Sequence, residues 1–179
     1  MQTDSDLYRK HPDWMLQTPG RRVSHGRYQY VLDFSRKEIV DYIYGMIAKL
    51  LSEANISYIK WDMNRSITEC YSIAYPADQQ GEIFHRYILG VYDLYERLTS
   101  AFPEVLFESC ASGGGRFEPG MFYYAPQGWG SDDSDAVERL KIQYGTSMCC
   151  RFCARGRRWP ASCFTPRTRA GVLRMMDVW

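Results

Sequence analysis

Two stretches of helical periodicity, each trailed by a short run of branched and aromatic residues, set the limits on what this chain can fold into. Apolar side chains recur at Ile39, Ile43, Met46, Ile47, Leu50 and Leu51, and again at Ile83, Tyr87, Ile88, Val91, Leu94, Tyr95 and Leu98. Steps of three and four put each set on one side of a helix, so each helix has a stripe to bury. Ser35 and Glu38, three apart ahead of the first stripe, form a capping-box pattern, and Asn55 offers a stop. The second helix is expected over residues 82–100, closed by Pro103.

Strands are expected over residues 28–34 (YQYVLDF), 57–61 and 105–108, with a weaker one near 127–131 and a helix from about 135 to 144. The order is strand, helix, strand, helix, strand, loop, strand, helix. It predicts an α/β fold with a parallel sheet. An open doubly wound sheet and a (β/α)₈ TIM barrel both satisfy it. Polar clusters at Asp62, Cys110 and Asp132 each follow a different strand, where barrel enzymes keep their chemistry, and this favours the barrel. Four strands are half of what closure needs. The expectation is therefore a partial TIM barrel with an irregular C-terminal tail.

The 179 residues, 45% of them hydrophobic, suffice for one core. Charge divides the chain unevenly. Residues 1–148 hold 15 Lys/Arg against 20 Asp/Glu, whereas residues 149–179 hold 7 Arg against Asp177 alone. Cys70 and Cys110 lie far apart, while Cys149, Cys150, Cys153 and Cys163 crowd the tail. No apolar run follows a basic start near Met1 and no window suits a bilayer, so reduced thiols in a cytoplasm are expected rather than a disulfide framework or a membrane partner. The tail arginines lack interleaved helices or aromatics, which argues against nucleic acid.

In "YIKWDMNRS" (58–66), Lys60, Asp62 and Asn64 alternate and should project from one face of an extended segment. Such a face could meet water at a strand end, or line a cleft in which a cation favours the ionised acid and an amide bonds a hydroxylated ligand. Asp132, Asp133 and Asp135 form a second acid cluster. A helix N-terminus accounts for at least one of them. A calcium loop fails, because its glycine and glutamate positions hold Val137 and Gln143. Two acids from separate strands are what a glycosidase needs, one at the anomeric carbon and one at the leaving oxygen.

"SGGGR" lacks the Gly-Lys-Ser/Thr ending of a phosphate loop, and close backbone approach to a ligand is the better reason for its glycines. Arg27, taken alone, reads as a surface residue. His11, His25 and His85 have no metal-ligand spacing. Trp129, between Gly128 and Gly130, suits either packing or a platform on which a sugar stacks.

"YIKWDMNR" (58–65), "CASGGGRFEPGM" (110–121) and "SDDSDAVERLKIQYGTSM" (131–148), in this order, closely resemble the catalytic-domain motifs of bacterial α-galactosidases of glycoside hydrolase family 36, and "DSDLYRKHPDW" (4–14) resembles the segment before that family's third barrel strand. The resemblance covers nearly all of residues 3–148. It implies that Asp62 is the nucleophile and Asp132 the general acid/base of a retaining double displacement, a pair about 5–5.5 Å apart. It further implies that Arg27, Lys60, Asn64, Cys110 and Gly113 contact the galactose; Trp61 and Trp129 stand beside them as candidate substrate-binding residues. No metal or organic cofactor is implied. Galactose-containing oligosaccharides of raffinose or melibiose type are the implied substrates, and intact family members are often homo-oligomers.

The same resemblance implies that flanking β domains and the other barrel strands are absent, so the chain reads as a fragment of the catalytic domain, inactive by itself. After Cys149 the resemblance stops, and the Arg- and Cys-rich residues 149–179 look like translation in a shifted reading frame. A Cys150-x-x-Cys153 metal site with Cys149 and Cys163 lacks a matching second pair. The other readings are a non-enzymatic remnant or interaction module, and an α-N-acetylgalactosaminidase or galactosyl transferase on the same scaffold.

Overall fold

The computed structural model describes residues 1–111, 118–153 and 172–175. In chain order the elements are α1 (Asp6–Lys10), a 3₁₀ turn (Pro12–Trp14), α2 (Lys37–Glu53), β1 (Tyr58–Asp62), a second 3₁₀ turn (Ala77–Glu82), α3 (Ile83–Ala101), β2 (Leu106–Cys110), α4 (Pro119–Tyr124), β3 (Gln127–Gly128), α5 (Ala136–Cys153) and β4 (Val172–Met175). They fall into two compact units. The described residues of the first are 1–55 and 63–103, and those of the second come from 56–62 and 104–176.

The first unit is helical. α2 buries Ile39, Val40, Ile43, Ile47 and Leu51, and α3 buries Ile83, Tyr87, Val91, Leu94, Tyr95 and Leu98. These are the stripes expected from periodicity, trimmed of Met46 and Leu50, which face outward, and of Ile88, which is half-buried. The two helices pack together, and each buried aliphatic or aromatic side chain contributes about 1.5–3 kcal/mol. Arg97 crosses between them to Asp41 at 2.6 Å, and Lys37 shares that carboxylate at 2.8 Å. At Gly90 the backbone of α3 runs so close to Phe34 that a β-carbon would lie 1.8 Å from the Phe34 carbonyl oxygen. Only glycine fits there.

Two local expectations in this unit are overturned. Residues 28–34 form no strand; they make single bridges, Gln29 to Gln2 and to Gly26, and Leu32 to Met15. Arg27 and Tyr28 stand at φ of 54° and 60°, a left-handed turn that cannot extend a ladder. The capping box is also missing. α2 starts at Lys37 behind Arg36, with no side-chain cap. The Ser35 hydroxyl donates instead to Asp33, and the Glu38 carboxylate accepts from Arg36 Nε at 2.7 Å. Asp33 is buried and also accepts from the Ser72 hydroxyl and, at 3.2 Å, from the Ser35 backbone N–H. Burial pushes the Asp33 carboxyl above its ordinary range, against the pull of these bonds.

The second unit carries a four-stranded parallel sheet in the order β3, β2, β1, β4. The α/β class and the parallel sheet are as expected. β1 and β2 pair Tyr58 with Leu106, Lys60 with Glu108 and Asp62 with Cys110; β2 and β3 pair Glu108 with Gln127 and Ser109 with Gly128. On the alternate positions Ile59 faces Phe107, both buried. Parallel neighbours need crossovers, and the chain supplies them: α3 lies between β1 and β2 in sequence, and α4 between β2 and β3.

The tail is less irregular than expected. α5 runs through Cys153 rather than ending near residue 144, and residues 172–175 form β4. β4 satisfies the edge of β1 that the expected strand over 28–34 would have filled. α4, hidden in the glycine-rich stretch, starts where Glu118 accepts from the Gly120 and Met121 N–H groups, both at 2.7 Å, with Pro119 in the first turn. Among the described residues no helix is long and apolar enough to cross a membrane.

Candidate active site

β1 puts Tyr58, Lys60 and Asp62 on one face by its two-residue alternation. Asp62 closes the strand, 3% exposed, opposite the buried Cys110. Lys60 meets Glu108, its register partner on β2: Nζ lies 3.4 Å from Oε1, with the two side chains 13% and 2% exposed. Glu108 Oε2 accepts from the Tyr58 hydroxyl and, at 3.2 Å, from Gln127 Nε2 of β3. Three strands thus converge on one carboxylate, which supplies the pairing that a buried charge requires. Lys60 Nζ also stands 4.4 Å from the centroid of the Trp129 ring, a cation–π contact.

Past β3 the backbone is tightly set. Trp129 N–H donates to the Ser109 carbonyl at 3.0 Å, and a β-carbon on Gly128 would come within 2.7 Å of the Phe122 ring. Trp129 Nε1 then donates to Asp132 Oδ1 at 2.7 Å.

The three acids that follow have separate duties. Asp135 Oδ1 accepts from the Val137 and Glu138 N–H groups at 2.9 and 3.0 Å and caps α5, as a helix N-terminus leads one to expect. Asp133 Oδ1 accepts from the Asp135 N–H at 2.9 Å and closes the turn. That leaves Asp132, exposed, on the indole. Arg139 reaches back from α5 to the Ser131 carbonyl at 2.9 Å and lies 5.3 Å from the Trp129 ring centroid.

Because the strands are parallel, Asp62, Cys110 and the 129–132 turn all sit at one end of the sheet, beyond its carboxyl ends. A buried acid, an ammonium, an indole and an exposed acid in that setting can bind a hydroxylated ligand and exchange protons with it.

Other sequence candidates lie elsewhere. Trp61 is fully buried, on the strand face opposite Lys60. Asn64, half-buried, and Arg27, exposed, belong to the first unit. The turn before Arg27 is clamped by Arg65, whose guanidinium donates to the Ser24 carbonyl and hydroxyl, both at 3.0 Å, and to Thr68 Oγ1 at 2.8 Å. Gly113 and the loop around it lie outside the described residues, as do the side chains of Cys149, Cys150, Cys153 and Cys163. Among the described residues no three His, Cys, Asp or Glu side chains gather as a metal site would need.

The family model for melibiase matches residues 1–176. The chain belongs to the melibiase family. It is 56% identical over 153 residues to α-galactosidase AgaA of Geobacillus stearothermophilus, covering 86% of this chain and 21% of that one. α-Galactosidase 1 of Pediococcus pentosaceus is 54% identical over 145 residues, 81% of this chain and 20% of its own. The crystal structure of AgaA, a family 36 enzyme, superposes with a TM-score of 0.80 at 57% identity over 83% of this chain and 21% of that one. A variant of the same enzyme in complex with stachyose gives 0.82 at 49% identity over 96% and 23%. The chain therefore spans about a fifth of the length of these melibiase relatives.

Sequence reasoning missed Glu108, Tyr58 and Gln127. The available signal was an acid inside the otherwise apolar run "VLFE", and it acquires meaning only through the register that sets it beside Lys60.

Proposed function

We propose that residues 1–148 are the segment of a retaining α-galactosidase that carries both catalytic carboxylates, on about the third to sixth strands of a (β/α)₈ barrel. The observation that carries this reading is the buried Asp62 ending β1, two positions past Lys60, in a chain 56% identical to an α-galactosidase over 153 residues. Asp62 attacks the anomeric carbon as the glycosidic C–O bond breaks, and the leaving oxygen takes the proton of Asp132. Asp132 then takes a proton from water, whose oxygen displaces Asp62 with net retention. Lys60 and the wall at Cys110 contact galactose hydroxyls, a role that the family resemblance also implies for Asn64, Arg27 and Gly113. Crystals of AgaA variants in complex with raffinose and with stachyose support α-galactosyl oligosaccharides as the substrate class. A cytoplasmic setting goes with this reading. The 179-residue chain alone does not turn substrate over.

The test is a segment swap, with residues 1–148 replacing the matching fifth of AgaA. The chimera should hydrolyse p-nitrophenyl α-galactoside with retention, and Asp62→Asn should reduce kcat by at least about 10⁴-fold. A folded chimera without hydrolysis would falsify the reading and leave a non-enzymatic remnant in its place.

A further inference from the structure

We propose that Trp129 is the positioning residue for Asp132: by holding Oδ1, its indole N–H confines the exchangeable proton of that carboxyl to Oδ2. The inference rests on the reading of Asp132 as proton donor. An indole N–H donates and cannot accept. The oxygen it holds must therefore offer a lone pair, and because the carbonyl oxygen of a protonated carboxyl accepts better than its hydroxyl oxygen, the O–H falls on the other oxygen. Asp132 is exposed, so without a partner its carboxyl would sample several rotamers, at an entropic cost to any single productive one. The bond at 2.7 Å removes that freedom.

Trp129 can do this because it is fixed at several points itself. Its backbone N–H is tied to the Ser109 carbonyl at 3.0 Å, and its ring lies 4.4 Å from Lys60 Nζ and 5.3 Å from the Arg139 guanidinium carbon. Lys60 is held in turn by Glu108 at 3.4 Å. A line of contacts thus runs from the buried carboxylate on β2, through β1, to the exposed one past β3. The Lys60 ammonium lies 4.4 Å from the ring centroid, while the N–H edge of the indole meets the acid.

Indole NMR on the isotopically labelled full chain tests this. The chain has five tryptophans, and Trp129→Phe identifies the resonance in question by its loss. The charged groups around the pair are Lys60, Glu108, Arg139, Asp133 and Asp135. On acidification of the folded chain the Trp129 resonance should shift in a single step. That titration should vanish in Asp132→Asn and survive in Glu108→Gln, Asp133→Asn and Asp135→Asn.

A flat Trp129 resonance in the folded chain, or one that still titrates in Asp132→Asn, overturns the proposal. The Asp132→Asn arm keeps the indole intact and decides the matter even where Trp129→Phe does not fold. An inactive chimera with the titration present sinks only the functional reading. An active chimera with a flat resonance sinks only this one.

Discussion

Glu108 and Asp132 are both carboxylates on the sheet-bearing unit, and the fold holds them in opposite ways. Glu108, on β2, is sealed in and has donors from the two neighbouring strands, Tyr58 and Lys60 on β1 and Gln127 on β3. Asp132 is in water and has one indole, on a turn shaped by its neighbours' backbone bonds. A buried charge must be satisfied by tertiary structure, so it binds strands together. An exposed charge needs no such support and remains available for proton exchange. For these two carboxylates, depth in the structure rather than residue type sets how each is held.

The largest expected effect breaks the buried side of this contrast. Glu108→Ala strands the Lys60 ammonium and should cost about 3–5 kcal/mol in urea denaturation of the chain; a loss under about 1 kcal/mol would mean that the cluster is wet and the contrast false. Gly128→Ala comes next, because residue 128 joins the two regions. Its methyl would meet the Phe122 ring at 2.7 Å, and overpacking there should cost about 1–3 kcal/mol and disturb the Trp129 indole signal. On the exposed side, Asp135→Ala should cost about 1 kcal/mol through the lost α5 cap, whereas Asp132→Asn should stay within about 0.5 kcal/mol. Equal losses at the two positions would show that the acids of this turn share one structural role.

A third carboxylate sharpens the contrast with the smallest effect. Asp33 is buried like Glu108, but its bonds come from the serine hydroxyls of Ser35 and Ser72 and the Ser35 N–H. Its carboxyl is raised by burial, so the folded state holds the proton more tightly than the unfolded chain does. The stability it contributes is fully present below the unfolded value and declines as pH rises through the folded one. Relative to Asp33→Asn, the wild-type chain should lose stability as pH rises above the ordinary aspartate value of about 4, read from paired denaturation curves. A gain over that rise would reverse the sign of the argument.

The helices were legible because a stripe such as Ile39, Ile43 and Ile47 repeats within one element, and the local pattern is the tertiary contact surface. β1 and β2 were legible to within about two residues. Residues 28–34 misled, since their aromatic and branched content favours a strand while Arg27 and Tyr28 bend left-handed and β4 takes the neighbouring edge. Of the acid turn, the capping role could be read from spacing, but the division of labour among Asp132, Asp133 and Asp135 could not. Glu108 was hidden for a related reason. Its partner Lys60 lies on another strand, and nothing local to either residue announces the pairing.

Gly90 has a mechanical meaning for the helical unit. A helix pressed on a smooth apolar surface can slide by a turn at modest cost, trading one set of side chains for another. α3 cannot do so, since the Phe34 carbonyl sits where a residue one turn away would bring a β-carbon, and Arg86, Tyr87, Asp93 and Leu94 all carry one. The glycine acts as a detent that indexes the helix along its axis, so the nineteen residues of α3 have one permitted axial setting.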